Sequence, residues 1–248
     1  MDFSFLWQTL LTLAPGIPLT FVLAFSSVAI GFVIASFLAS ARVWGPRWLA
    51  GPARTYVFVL RGTPLLVQIF LIYYGLGQFA AVRSSLLWPF LREPFWCAIL
   101  ALSLNTSAYG AEILRGALLS VPIGQIEAAR ACGMSPLMSL HRIVGPQAIR
   151  NALPAYGNEL ILMVKSTSLA SVITLMEITG LAAQLISETY RVVPVFIVAA
   201  AIYLALNFIL ATLVGLLDYR LAAHLRPTAT AAFRSRFPFP SRIRKGFP

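Results

Sequence analysis

Three ionisable residues, Glu159, Lys165 and Glu177, stand in an otherwise uncharged stretch from Leu153 to Leu185, beside the hydroxyls of Ser166, Thr167 and Ser168. An ionised side chain at membrane depth costs about 2.5–3.5 kcal/mol on insertion scales, so such residues face protein, water or a ligand, not lipid. On a regular helix Glu159 and Lys165 are six apart and Lys165 and Glu177 twelve apart, spacings that do not pair them along one face. Two readings stand side by side. In one, Glu159 holds a cationic solute on a polar path and Ser166, Thr167 and Ser168 supply hydroxyls. In the other, Glu159 and Lys165 lie at one edge of a span and Glu177 near the other, each reaching water by snorkelling.

The segment from about Arg115 to Leu153 carries helix signals rather than linker composition. Ser120 followed by Pro122 opens a helix in which Ile123, Ile126, Ala129 and Cys132 recur at helical spacing, and Gly133 ends it as a left-handed cap. Ser135 and Pro136 open a second helix, with Leu137, Leu140, Ile143 and Val144 opposite His141 and Arg142, until Gly145-Pro146 breaks it. The pattern predicts two short helices meeting at a glycine hinge. Such a pair serves as an amphipathic anchor in the headgroup layer or as a docking element for a soluble partner.

Nucleotide chemistry is not encoded in a recognisable form. Neither Lys165 nor Lys245 completes a GxxxxGK[ST] phosphate loop. His141 and His224 lie among basic residues and read as surface side chains, without a nucleophile to serve. Cys97 and Cys132 have no CxxC or His/Cys cluster near them, so both read as small buried fillers, and no metal site is expected. The chain is therefore not expected to be an enzyme or to bind a cofactor itself.

The elements that must position these residues follow from composition. Of 248 residues, 59% are hydrophobic and 11% charged, with a mean hydropathy of +0.82. Soluble domains average about 45–50% and 25%, so there is too little polar surface here for a water-soluble particle. An all-helical membrane protein is expected, each span needing about 20 apolar residues. Phe3 to Ala41 is free of charge, with Pro15, Gly16 and Pro18 separating a short interfacial helix from a span over about 18–41. Asp2 stands where a secretory signal would be basic, so this span reads as uncleaved. Further spans are expected over Gly62–Val82, from Phe95 to Glu112, across the polar stretch above, and over Val192–Leu217, giving five.

Basic residues then assign sides. Fifteen fall on one side: Arg42, Arg47, Arg54 and Arg61, then Arg115, Arg130, Arg142 and Arg150, then Arg220 through Lys245. Three, Arg83, Arg92 and Arg191, fall on the other, and Lys165 counts as intramembrane. The positive-inside rule puts the amino terminus outside and the carboxyl terminus in the cytoplasm. The net charge of +11 thus reports topology, and no nucleic-acid partner is expected. The stretch from Arg226 reads as a basic arm against the anionic inner leaflet or as a plain solvated tail. No internal repeat and no pair of broken spans in matched halves is apparent, which counts against the competing reading, a self-contained secondary transporter or channel for small polar solutes.

The order Glu127-Ala128-Ala129, Gly133, Ile143 and Pro146 resembles the EAA loop of ABC-importer permeases, with Gly145 where that family usually has leucine. Arg61-Gly62-Thr63-Pro64 leading to Gln68, Asn105 through Tyr109 and Glu112, and Asn158-Glu159 with Lys165 and Thr167-Ser168-Leu169 are similar to the polar amino-acid permeases. The similarity covers about 18–217 and is nearest to the M subunits of histidine, basic amino-acid and opine uptake systems. It implies a type I ABC-importer permease fold: an amino-terminal segment 1–17, a transmembrane domain 18–217 with a coupling loop at about 115–153, and a basic cytoplasmic tail 218–248. It implies ATP hydrolysis by a pair of identical ATPase partners, a second permease subunit, homologous or identical, and an extracytoplasmic solute-binding protein, in a bacterial inner membrane. Within the loop, Ala128 and Ala129 would allow close approach to the ATPase, Gly133 would turn the chain, and Glu127 would cap or pair with a partner's basic residue; locally, Glu127 can also pair with Arg130 for a few tenths of a kcal/mol.

Overall fold

The computed structural model describes residues 3–221, and these form helices joined by short turns, with no strand. The basic arm from Arg226 and His224 lie outside the described residues. The chain begins with α1 (Phe3–Leu13), a single 3-10 turn at Ala14–Gly16, and α2 (Ile17–Trp44). The break expected at Pro15–Pro18 is thus one tightened turn, because Pro15 and Pro18 each sit in the first turn of a helical segment, where the missing N–H goes unused. Thr9 and Leu13 of α1 are buried, and α1 packs on the last two helices of the chain.

The stretch expected to be a loop after the first span is instead α3 (Arg47–Gly62). Its Ala50, Ala53 and Val57 are buried, and Ala53 and Val57 pack with Ala35, Leu38 and Ala41 of α2. Arg47, Arg54 and Arg61, seven apart, form a stripe on the helix, so a charge-rich segment that looks like a loop can still bury one face. After a sharp bend come α4 (Leu65–Phe70), a π-helical turn at Leu71–Gly75, and two short helices, α5 (Ala80–Arg83) and α6 (Trp88–Leu91).

The central helix is α7 (Pro94–Leu119). Two-thirds of its apolar window (67%) is buried, against 28% for α12 (Val192–Leu221). This explains why α7 tolerates Ser103, Asn105, Thr106 and Ser107, all buried, whereas α12 is apolar all round: one faces protein and the other has lipid to satisfy. α2 packs along α7 so closely that a Cβ on Gly31 would overlap the Thr106 methyl group.

After α7 the chain forms α8 (Ile123–Ala131) and α9 (Pro136–Ser139), a π-helical turn at Leu140–Val144, and α10 (Gly145–Ser166). A 3-10 stretch, Thr167–Ile173, leads to α11 (Ile178–Thr189). Three helical segments, Phe3–Trp44, Pro94–Leu119 and Val192–Arg220, are each long and apolar enough to cross a membrane. Two further candidates are bent pairs: Arg47–Gly62 with Leu65–Gln78 at 107°, and Pro136–Ile173 with Ile178–Thr189 at 46°. Both of these candidates are bent helix pairs, and apolar content alone does not reveal where a helix bends.

Candidate functional site

A cavity of about 520 Å³ opens where α3, α7 and α10 meet. Its polar wall is made by Arg61, Thr63, Asn105, Tyr109, Glu159 and Ser166, and Leu162, Met163 and Leu169 contribute apolar surface. The 107° bend that brings Arg61 and Thr63 there is local in origin. Pro64 disfavours helical geometry in the residue before it, and Thr63 is extended at φ −113°, ψ 142°. The bend frees backbone acceptors at the end of α3, and the buried Gln68 carboxamide takes them up. Its Nε2 donates to Leu60 O at 2.8 Å, Thr63 Oγ1 at 2.8 Å and Thr63 O at 3.2 Å. Its oxygen accepts from Asn105 Nδ2 at 3.1 Å, tying the bend to α7.

Glu159 lines this cavity and is 7% exposed, with the Thr106 hydroxyl donating to Oε1 at 2.9 Å. It is held inside the protein and does not snorkel from a span's edge. Ser166 also lines the cavity, its hydroxyl donating back to Leu162 O at 3.0 Å. The other two hydroxyls of the expected path are not on its wall. α10 gives way to a 3-10 turn at Thr167, which rotates the chain: Thr167 is fully buried and donates to Val164 O, and Ser168 donates to Lys165 O. Lys165 is exposed.

Glu177 does not snorkel to water. It is fully buried at the start of α11, where Oε1 accepts from Gly180 N at 2.9 Å and Oε2 from the Tyr203 hydroxyl at 2.6 Å. It is an N-cap, and it follows a break marked by Thr174 at φ 68°, a left-handed position that a β-branched residue rarely takes. Arg61, Thr63, Asn105 and Tyr109 were not singled out for a path by sequence reasoning. The available signal was a run of polar residues inside an apolar helix, Asn105-Thr106-Ser107, which lipid would not accept.

Beside the cavity, Glu112 collects three arginines. Arg42 Nη1 lies at 2.7 Å, Arg115 donates through Nε and Nη2 at 3.0 and 2.9 Å, and Arg61 Nη1 stands off at 3.9 Å. This cluster joins α2, α3 and α7.

The hairpin that follows α7 has the expected hinge. Gly133 is at φ +75°, Met134 N donates to Ala129 O at 3.0 Å and Gly133 N to Arg130 O at 2.9 Å, which together make a Schellman end to α8. Ser135 caps α9 by accepting from Met138 N at 3.3 Å. Other details differ. Ser120 closes α7 instead of opening α8: its hydroxyl donates to Ala117 O and accepts from Asn151 Nδ2, both at 2.8 Å. Gly145-Pro146 does not break the second helix. The wider turn at Leu140–Val144, with Gly145 N bonded to Leu140 O, absorbs the proline, so the chain stays helical from Pro136 to Ser166.

The apolar stripes of the hairpin are only partly covered: Ala129 and Val144 are buried and Ile126, Leu140 and Ile143 half-buried. Ile123 and Leu137 are each 72% exposed, and Cys132 is exposed, not a buried filler; Cys97 is buried as expected. Of the EAA-like positions, Ala129 is buried, Ile143 is half-buried, and Glu127, Ala128, Gly133 and Pro146 are exposed. No ion pair joins Glu127 to Arg130 among the described residues. The hairpin and the cavity do not touch, but α7 and α10 run through both.

Residues 27–223 match the family described as binding-protein-dependent transport system inner membrane component. The octopine transport system permease protein OccM of Rhizobium meliloti is 62% identical over 227 residues, covering 92% of this chain and 93% of that protein. The nopaline transport system permease protein NocM of Agrobacterium fabrum is 53% identical, over 91% and 94% of the two chains. The histidine/lysine/arginine/ornithine transport system permease protein HisM of Escherichia coli K12 is 40% identical, over 87% and 91%. Among solved structures, an amino acid ABC transporter crystallised with histidines superposes with a TM-score of 0.80 at 37% identity, over 89% of this chain and 99% of that one. The MetNI methionine ABC transporter shares the fold at a TM-score of 0.61 and 20% identity, over 92% and 100%. The chain therefore belongs to the binding-protein-dependent transport system inner membrane components, as the permease subunit of an ABC importer in the bacterial inner membrane.

Proposed function

We propose that this chain forms one half of the translocation pathway for a polar, basic amino acid or an opine, crossing the membrane five times with its amino terminus outside and its carboxyl terminus in the cytoplasm. The observation that carries the reading is the continuity of α10 from the hairpin to the cavity. Glu159 lies thirteen positions after Pro146, about 20 Å of helix at 1.5 Å per residue, so a displacement of the hairpin is transmitted to the cavity wall through one packed rod. Glu127, Ala128, Ala129, Gly133, Ile143 and Pro146 would dock on an ATPase subunit, and closure of two such subunits would switch the cavity between outward and inward access. ATP is hydrolysed by those partners, and this chain is not itself an enzyme.

In the cavity, Glu159 would attract a cationic solute, with Ser166 offering a hydroxyl; Thr167 and Ser168 would act only by shaping the turn beside it. The relatives are named for octopine, nopaline, and histidine, lysine, arginine and ornithine, which supports this substrate class. The remaining partners would be an ATPase homodimer, a second permease subunit, homologous or identical, an extracytoplasmic solute-binding protein, and surrounding lipid. The test is reconstitution in vesicles. With all partners and ATP, radiolabelled L-arginine or octopine should accumulate, and this chain alone should accumulate nothing. Accumulation by the chain alone would overturn the reading in favour of a self-contained transporter.

A further inference from the structure

We propose that Arg61 is the residue that recognises the carboxylate of the transported solute, so that the cavity selects molecules carrying both a carboxylate and a cation. The proposal rests on the transport reading above. Glu112 has two close cationic partners, Arg42 at 2.7 Å and Arg115 through two donors at 2.9 and 3.0 Å. Arg61 is the third cation around that one carboxylate and lies at 3.9 Å, beyond hydrogen-bond length. Its donors are therefore not consumed by Glu112.

The Arg61 guanidinium instead lies over the Tyr109 ring, 5.2 Å from its centroid, and the side chain is 44% exposed on the cavity wall. This cation–π contact does not use up the guanidinium N–H donors, and the planar fork they form matches a carboxylate with two parallel hydrogen bonds. The same cavity holds Glu159, one of whose oxygens accepts from Thr106 while the other has no hydrogen-bond partner within the described residues. One fixed anion and one loosely held cation thus face one space of about 520 Å³.

A solute with a cation alone would satisfy Glu159 but bring like charge toward Arg61, and a solute with an anion alone would do the reverse. Only a molecule bearing both charges satisfies both residues. Glu112 then acts as the resting counter-charge from which Arg61 turns toward the solute, pivoting on the Tyr109 ring.

The test is equilibrium binding to the complete permease–ATPase complex in nanodiscs, without the binding protein, using radiolabelled L-arginine, octopine and agmatine, the decarboxylated form of arginine. Wild type should bind L-arginine or octopine more tightly than agmatine by about tenfold or more, the value of a charge-assisted bidentate pair. Arg61→Gln should remove that preference, weakening the carboxylate-bearing probes about tenfold and leaving agmatine unchanged or tighter. Should Arg61→Gln fail to assemble, Arg61→Lys, which keeps the charge but not the fork, should lower the preference by about threefold. An unchanged preference in the variant that assembles, or equal loss of all three probes, overturns the role of Arg61 alone. Failure of wild type to bind either L-arginine or octopine overturns the transport reading and this proposal with it.

Discussion

The turn of the hairpin is fixed by contacts between near neighbours: Gly133 to Arg130, Met134 to Ala129, Met138 to Ser135, Gly145 to Leu140. The cavity is fixed by contacts across the fold, Gln68 with Asn105 at a separation of 37 residues and Thr106 with Glu159 at 53. The hairpin also leaves apolar side chains outside, Ile123 and Leu137 at 72% exposure, whereas the cavity turns ionised and polar groups inward. The two regions thus invert the usual distribution, each in the direction of what it would meet in the proposed function. A surface that docks a soluble partner presents apolar area to be covered, and a path for a polar solute keeps charge away from lipid. The contrast teaches that backbone geometry is the vulnerable property of the hairpin and charge placement that of the cavity.

Breaking the hairpin should have the largest effect. Proline fixes φ near −65° and has no N–H, so Gly133→Pro can neither hold φ +75° nor donate to Arg130. The protein should remain in the membrane while uptake and co-purification with the ATPase subunit are lost; normal uptake would remove the docking role. The cavity should respond next, and by charge. Glu159→Gln should raise the KM for a cationic solute by about tenfold or more while sparing a neutral one, since hydrogen bonds to charged groups are worth about 1.5–3 kcal/mol. Equal effects on both solutes would show that Glu159 supports the wall without selecting charge.

Smaller effects should separate positioning from selection. Gln68→Leu leaves Asn105 and two freed carbonyls near the bend without their partner, and should destabilise the purified complex by about 1–3 kcal/mol in thermal unfolding. Glu177→Ala removes the α11 cap and should cost about 1–2 kcal/mol of stability with no change in KM, because Glu177 does not line the cavity. The least perturbing experiment is labelling. Cys132 should react with a hydrophilic maleimide when the ATPase subunit is absent and be protected when it is bound, while Cys97 stays unreactive throughout. Labelling of Cys132 at the same rate in both states would place the interface elsewhere.

Much of the hairpin was legible because its signals are local. Pro122, Gly133 and Ser135-Pro136 act on their own backbone, and their consequences appear where the sequence puts them. The errors there were of context. Ser120 closes one helix instead of opening the next because Asn151, far along the chain, donates to its hydroxyl. Gly145-Pro146 reads as a stop, but a wider helical turn removes the clash. Cys132 reads as a filler because no CxxC or His/Cys cluster stands near it, whereas it lies exposed at the end of α8.

By itself the sequence determined that the chain is helical and membrane-embedded, since 59% hydrophobic and 11% charged residues admit little else, and it marked Glu159 as a charge that must be kept from lipid. Only the tertiary structure decided which of the nearby polar residues share its cavity. Arg61 and Thr63 arrive at the 107° bend that ends α3, and Asn105 and Tyr109 from α7, while Thr167 and Glu177, close to Glu159 in sequence, are turned away into hydrogen bonds of their own. The physical reason is that hydropathy measures how much polarity a segment carries, and only packing between segments settles which way that polarity points.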